Sequence, residues 1–193
     1  MGLKIHSGIA RGFPLAMPRS DSTRPTSALI KRKLFDWRQN LEGFIFIDLC
    51  AGSGAVGFEA LSRGAEKVYV NDSMKGAFLT LKQNAEALIS KFGFDASSIK
   101  ISNRDSKDWA QRELKFELSD TEDCILFFDP PYENHALYDD ILKALKDNGY
   151  AGEVWVESDR LMGPSREKLT GAFCSVIKVV EQGDHFVVVG KLV

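Results

Sequence analysis

Polar and apolar residues follow two rhythms along this chain. Short apolar runs fall at 44–49, 67–71, 99–102, 125–128 and 153–157, and longer stretches between them return an apolar residue every three or four positions. The first rhythm is that of buried strands and the second that of amphipathic helices. Helices are predicted over 56–63, 75–91 and 138–145, with a short one ending at 166–169. In 75–91, Phe78, Leu81, Ala85 and Leu88 share a face. Repeated strand–helix units imply a parallel sheet with helices on both faces. The tail differs: extended runs at 173–180 and 185–192 flank Gln182-Gly183-Asp184, a hairpin signal. A hairpin cannot be parallel throughout, so one C-terminal strand should run antiparallel.

Before residue 41 the rhythm changes. Extended pieces at 4–9 and 13–17 around Arg11-Gly12 predict a β-hairpin. Pro14, Pro18 and Pro25 punctuate a loop that ends at Arg24-Pro25-Thr26. A helix begins near Thr26 or Ser27, either of which can cap it. Its buried face should be Ile30, Leu34 and Trp37, with Lys31, Arg32 and Lys33 directed elsewhere. The expected organisation is an extension over 1–40 and an α/β body over 41–193, forming one compact unit on one core.

Composition narrows the class. With 44% hydrophobic and 27% charged residues, the chain resembles soluble globular proteins. Asp48 interrupts the best apolar stretch, so no membrane span is expected. No apolar signal core precedes a cleavage site, and a cytoplasmic location is expected. Cys50, Cys124 and Cys174 lie far apart in strand-like runs and read as reduced, buried thiols. His6, His135 and His185 form no ligand cluster, so no metal is expected.

Charge is informative in its distribution. The net charge is −2, yet residues 1–40 hold eight cations (Lys4, Arg11, Arg19, Arg24, Lys31, Arg32, Lys33 and Arg38) against Asp21 and Asp36. This surplus of six leaves −8 on the rest, the footprint of a basic arm on an acidic body. The candidate phosphate contacts are Arg11, Arg24, Lys31 and Arg32.

Two motifs carry the chemistry. Asp48-Leu49-Cys50-Ala51-Gly52-Ser53-Gly54-Ala55-Val56-Gly57 follows the first strand and fits G-x-G-x-x-G, a phosphate-binding turn in dinucleotide sites. Asp48 argues against a dinucleotide, because a carboxylate beside that turn would repel pyrophosphate. It suits S-adenosylmethionine (SAM), which carries an ammonium and a sulfonium and no phosphate. The cofactor candidates are Asp48, Ala51, Gly52, Ser53 and Gly54. To these add Asn71 or Asp72 for the ribose, and Asp105 with the backbone of Ser106 for the adenine.

The second motif, Asp129-Pro130-Pro131-Tyr132, follows the fourth strand. A nucleobase amine is a poor nucleophile because its lone pair is delocalised into the ring. Two acceptors on its two protons can aim that lone pair at a methyl carbon. The Asp129 carboxylate is one; the Pro130 carbonyl, stiffened by two prolines, is the other. Tyr132 offers a ring for stacking and Pro131 a substrate contact. Rate then comes chiefly from orientation, with Asp129 able to take the departing proton. A paired base would have to be flipped out. No cysteine is placed for the covalent attack that pyrimidine C5 methylation needs.

The chain resembles bacterial 16S ribosomal RNA guanine-N2 methyltransferases of the RsmD type. The resemblance runs nearly end to end. It is carried by Gly8, Arg11-Gly12, Arg24-Pro25-Thr26, Leu34-Phe35, the stretch from Asp48 to Ala65, the Asp129–Tyr132 tetrapeptide and Glu157. It implies a Rossmann-like, seven-stranded class I methyltransferase sheet with an N-terminal extension. It also implies SAM as donor, with S-adenosylhomocysteine as product. The implied acceptor is a guanine of small-subunit rRNA, met on an assembled or partly assembled small ribosomal subunit. In that setting Thr26 joins the substrate contacts, and a monomer is expected. Two other functions fit the same residues. One is adenine-N6 methylation of DNA or RNA, and the other is a ribosome-assembly factor that binds SAM without turnover.

Overall fold

The computed structural model describes residues 3–18, 28–117 and 123–193. Seven strands form one sheet in the order β3-β2-β1-β4-β5-β7-β6. They are β1 (Ile45–Asp48), β2 (Lys67–Asn71), β3 (Ile99–Ser102), β4 (Cys124–Phe128), β5 (Glu153–Asp159), β6 (Ser175–Gln182) and β7 (His185–Lys191). The first five are parallel, and β7 runs antiparallel between β5 and β6. The helices are α1 (Ala28–Trp37), α2 (Gly57–Ser62), α3 (Lys75–Phe92), α4 (Ser106–Glu117), α5 (His135–Asp147) and α6 (Arg166–Gly171).

Both faces of the sheet are covered, which is why its strands read as continuous apolar runs. Alternate residues serve two cores. Phe46, Val68, Val70, Ile125, Phe127 and Trp155 join one core with Ile30, Phe35, Phe58 and Leu81. Ile47, Tyr69, Leu126, Phe128, Val154 and Val156 join the other with Trp109, Leu114, Tyr138 and Leu145. Chain order reverses direction between β1 and β4. The carboxyl ends of these two strands therefore open a crevice, where open α/β sheets bind ligands.

The extension is held by specific contacts. Lys4 and Pro14 form a single antiparallel bridge, a shorter pairing than the predicted hairpin. Ile5, Ala10 and Leu15 enter the first core. Buried Glu59 accepts from His6 N at 2.7 Å, Ser7 N at 3.1 Å and Arg63 Nε at 2.9 Å. Gly8 has φ +78° and lies so close to the Ser62 carbonyl that a Cβ would stand 1.8 Å from its oxygen. A side chain there would displace the extension from α2.

Three expectations change. Helix α4 is absent from the predicted elements: Trp109, Ala110 and Leu114 make only a narrow apolar stripe in a polar segment. Strand β6 begins and ends two residues later than predicted and is an exposed edge over its first half. Of the cysteines only Cys124 is fully buried; Cys50 is half-buried and Cys174 is exposed. Among the described residues, no helix is long and apolar enough to cross a membrane, and no group of three or more His, Cys, Asp or Glu could hold a metal.

Candidate active site

A cavity of about 700 Å³ opens at the carboxyl ends of β1 to β5, a volume suited to a cofactor-sized ligand. Its lining brings together Asp48, Ala51, Gly52, Ser53, Asp72, Asp105, Ser106, Asp129, Pro130, Pro131 and Tyr132. Both motifs thus face one space. Gly54 does not line it. With φ +80° and Phe58 only 2.3 Å from where a Cβ would sit, Gly54 shapes the turn from beneath. Gly57 lets α2 start tight on the sheet, since a Cβ there would stand 2.5 Å from Val70 Cγ1.

Asp48 is buried at 1% exposure. Its Oδ2 accepts from Gly57 N at 3.0 Å, while Oδ1 is buried without a hydrogen-bond partner. Burial pushes its carboxyl pKa up to about 8; the Gly57 N–H opposes this, Asp129 and Asp72 add to it, and Lys31 opposes it weakly. A buried acceptor short of a partner, in the wall of a cavity, fits a ligand cation.

The ribose candidates separate. Asn71 is fully buried and satisfied: Nδ2 donates to Leu49 O (3.1 Å) and Arg104 O (3.0 Å), and Oδ1 accepts from Ser102 Oγ (2.8 Å) and Arg104 N (3.2 Å). It braces the ends of β1 and β3 and does not line the cavity, which corrects its assignment as a cofactor contact. Asp72 does line it, accepting from Gly52 N and Met74 N at 2.8 Å each. Asp105 lines the cavity and also caps α4, accepting from Lys107 N (2.9 Å) and Asp108 N (3.2 Å). The Ser106 hydroxyl donates to Leu49 O at 2.9 Å.

On the acceptor side, Pro130 is buried and its carbonyl meets Tyr138 Oη at 3.4 Å. A carbonyl has two lone pairs, so one remains for a substrate amine. Tyr132 is half-buried, with its hydroxyl 3.3 Å from Glu157 Oε1 and 3.0 Å from His185 Nδ1. Glu157 is fully buried, and its Oε2 has no hydrogen-bond partner. Burial, reinforced by Asp129, holds its carboxyl well above the usual range. Sequence pattern assigns Glu157 no role and does not reveal His185, which lines the cavity from the start of β7. Nor does it reveal Asn84 of α3. Asn84 bonds Ala16 N and O and Ser53 O at 2.9–3.0 Å, tying the extension to the glycine turn.

The basic candidates divide. Lys31 is buried at 2% exposure, its Nζ donating to Ala55 O at 3.3 Å. Positions 31, 34 and 35 share a helix face, and Leu34 and Phe35 of that face are core residues. Lys31 is therefore no surface phosphate contact. Arg11 and Arg32 are exposed and line a second cleft of about 590 Å³ with Lys4, His6, Asp36 and Arg63. Arg32 stands 3.7 Å from Asp36. Arg24 and Thr26 lie outside the described residues.

Known proteins resemble this chain over most of its length. A family described as Conserved hypothetical protein 95 matches residues 3–168. The ribosomal RNA small subunit methyltransferase D of Haemophilus influenzae is 30% identical over 187 residues, covering 88% of this chain and 89% of its own. The Escherichia coli K12 protein of the same name is 28% identical over 161 residues, 81% of this chain and 75% of its own. An Escherichia coli structure, provisionally named a methyltransferase, superposes with TM-score 0.74 at 24% identity, over 98% of this chain and 97% of that one. A human methyltransferase 10 domain containing protein gives 0.70 at 13% identity, over 94% and 90%. These likenesses establish a class I methyltransferase fold.

Proposed function

The chain belongs to the ribosomal RNA small subunit methyltransferase D family, and from that premise we propose that it transfers a methyl group from SAM to the exocyclic N2 amine of a guanine in small-subunit (16S) ribosomal RNA. The observation that carries this reading is the unpartnered, buried Asp48 Oδ1 in the wall of the same cavity as the Asp129–Tyr132 turn. Asp48 would hold the cofactor's ammonium, and Asp72 and Asp105 the hydroxyls and amine of its nucleoside. Bound there, SAM supplies an electrophilic methyl on a sulfonium.

The chain's own residues then do the rest. Asp129 and the free lone pair of the Pro130 carbonyl accept from the two protons of the acceptor amine. That fixes the direction of the nitrogen lone pair, so orientation supplies most of the rate. As the nitrogen gains a bond, Asp129 takes one of its protons. Tyr132 presents its ring to the base and Pro131 closes the edge.

For the RNA, Lys4, Arg11 and Arg32 offer three exposed cations in the second cleft, with Asp36 as the facing acid. Such a cleft suits backbone phosphate, which sets register without reading sequence. The family relatives named for the small-subunit rRNA favour that RNA as acceptor. The extension would then serve as the RNA-holding part and the body as the methyltransferase, acting on the small subunit during assembly.

The test is to incubate the protein with labelled SAM and small-subunit particles, naked rRNA or DNA, and to identify the methylated nucleoside. N2-methylguanosine in rRNA, abolished by Asp129→Ala, is the expected result. N6-methyladenine, or SAM binding with no transfer to any of these, would overturn the reading.

A further inference from the structure

Tyr132 is held at both ends of its chemistry. The residue lines the cavity, and its hydroxyl lies between a fully buried carboxyl and a half-exposed imidazole on two different strands. Glu157 comes from β5 and His185 from the first position of β7; the ring of His185 stands 5.8 Å from that of Tyr132 at 50°. A single hydroxyl proton can be given to only one of the two partners, so the three side chains must share an order of donors.

Geometry and burial choose the order. The shorter contact is to His185 Nδ1, at 3.0 Å, and the longer is to Glu157 Oε1, at 3.3 Å. Glu157 has no exposed surface, and its second oxygen has no hydrogen-bond partner. An ionised carboxylate in that setting would be left with one long hydrogen bond, an arrangement that burial penalises heavily. A carboxylic acid needs only one partner for its proton, and Tyr132 Oη is there to accept it. Tyr132 then donates to the Nδ1 lone pair, which fixes His185 as the neutral tautomer with its proton on Nε2.

We infer that Glu157 and His185 are positioning residues for the acceptor base: a chain running from the Glu157 carboxylic acid through the Tyr132 hydroxyl to His185 Nδ1 fixes the tyrosine ring as a rigid platform in the cavity. The inference rests on the proposed acceptor site. It adds two residues that do not touch the reacting atoms and act only through Tyr132. A tyrosine without such a clamp keeps its freedom to turn, and the base it carries loses its register with Asp129.

Two measurements test this. The first is nitrogen-15 NMR of the side-chain imidazoles, with His185→Gln identifying the His185 signal against His6 and His135. At pH 8 an essentially pure Nε2–H tautomer is expected, persisting in Glu157→Gln, whose amide can still donate, and relaxing toward the mixture of a free imidazole in Tyr132→Phe. A Nδ1–H tautomer, or no change in Tyr132→Phe, would overturn the donor order. The second is steady-state kinetics with the small-subunit substrate. Tyr132→Phe and His185→Ala should each lower kcat/KM for RNA about 2- to 12-fold, the worth of one hydrogen bond, with the loss falling in kcat and SAM affinity unchanged. The double variant should be no worse than either single, because both remove the same interaction. Glu157→Gln should rescue what Glu157→Leu loses; the half-exposed His185 keeps the test decisive should the leucine variant not fold. Unchanged kcat in the Tyr132 and His185 variants, or additive defects, would overturn the positioning role. Failure of the wild-type protein to methylate any nucleic acid would sink the proposed function, whereas the NMR result judges the hydrogen-bond order without reference to turnover.

Discussion

Asp48→Asn should move stability and cofactor affinity in opposite directions. In the folded protein burial raises the Asp48 carboxyl from an ordinary 3.8 to about 8. The folded state therefore holds its proton more tightly than the unfolded chain does. Stability falls as pH rises from about 4 through about 8, and then levels. At 1.36 kcal/mol per pH unit the ionised group costs on the order of 5 kcal/mol above pH 8, an upper bound because local relaxation lowers it. An amide keeps the size and the acceptor for Gly57 N–H without the charge. The variant should thus be more stable at pH 8, by several degrees in Tm, since about 1 kcal/mol moves a domain of this size by roughly 2–4 °C. Near pH 5 the difference should shrink. Cofactor binding should do the reverse. A hydrogen bond to a charged group contributes about 1.5–3 kcal/mol, so SAM should bind roughly 10- to 150-fold more weakly. Wild-type affinity should rise with pH toward 8 as Asp48 ionises, then fall as the ligand's own α-amino group loses its proton near pH 8. The variant should lack the acid limb. Calorimetric titration at pH 6, 8 and 9.5, with thermal denaturation at pH 5 and 8, reads both effects. A variant that binds SAM as tightly as wild type, or that is less stable at pH 8, would refute the assignment of Asp48 as the ammonium partner in a desolvated position.

Asp129→Ala should cost about 10²–10³ in turnover while SAM affinity holds, because Asp129 serves the acceptor amine and not the cofactor; single-turnover assays alongside calorimetry separate the two. Neutralising Arg11 and Arg32 together should flatten the log–log salt dependence of RNA binding by about two, one for each phosphate no longer engaged. Lys31→Met should leave that slope unchanged. It should instead cost about 1–3 kcal/mol in chemical denaturation, through an Ala55 carbonyl left without its donor. Gly54→Ala should destabilise by about 1–3 kcal/mol or more, since its φ of +80° and the Phe58 ring 2.3 Å from the added carbon both oppose a side chain.

Much of the site is legible in the sequence. Gly52 and Asp129 sit just after apolar runs because parallel strands buried on both faces must be apolar throughout, so polar chemistry collects where they end. The fold brings these strand ends to one cavity. Neighbouring residues are harder to tell apart. Asn71 and Asp72 are adjacent and both polar, yet one points back among Leu49, Ser102 and Arg104 while the other faces the cavity. Strand alternation states that they face opposite ways; it does not state which way leads to the ligand.

The strand ends, the glycine turn, the acidic tetrapeptide and the antiparallel tail follow from the order of residues alone, because each is written in local period and local steric need. What charge those residues can bear is settled in three dimensions. Lys31 lies on the helix face of Leu34 and Phe35, so packing against the body desolvates it and removes it from the surface that its neighbour Arg32 keeps. Glu157 on β5 pairs with Val187, two residues along β7 from His185, and it is Tyr132 of a third segment that hydrogen-bonds to both side chains. Desolvation and donor order depend on every group within a few ångströms, and those neighbours come from parts of the chain that no local pattern connects.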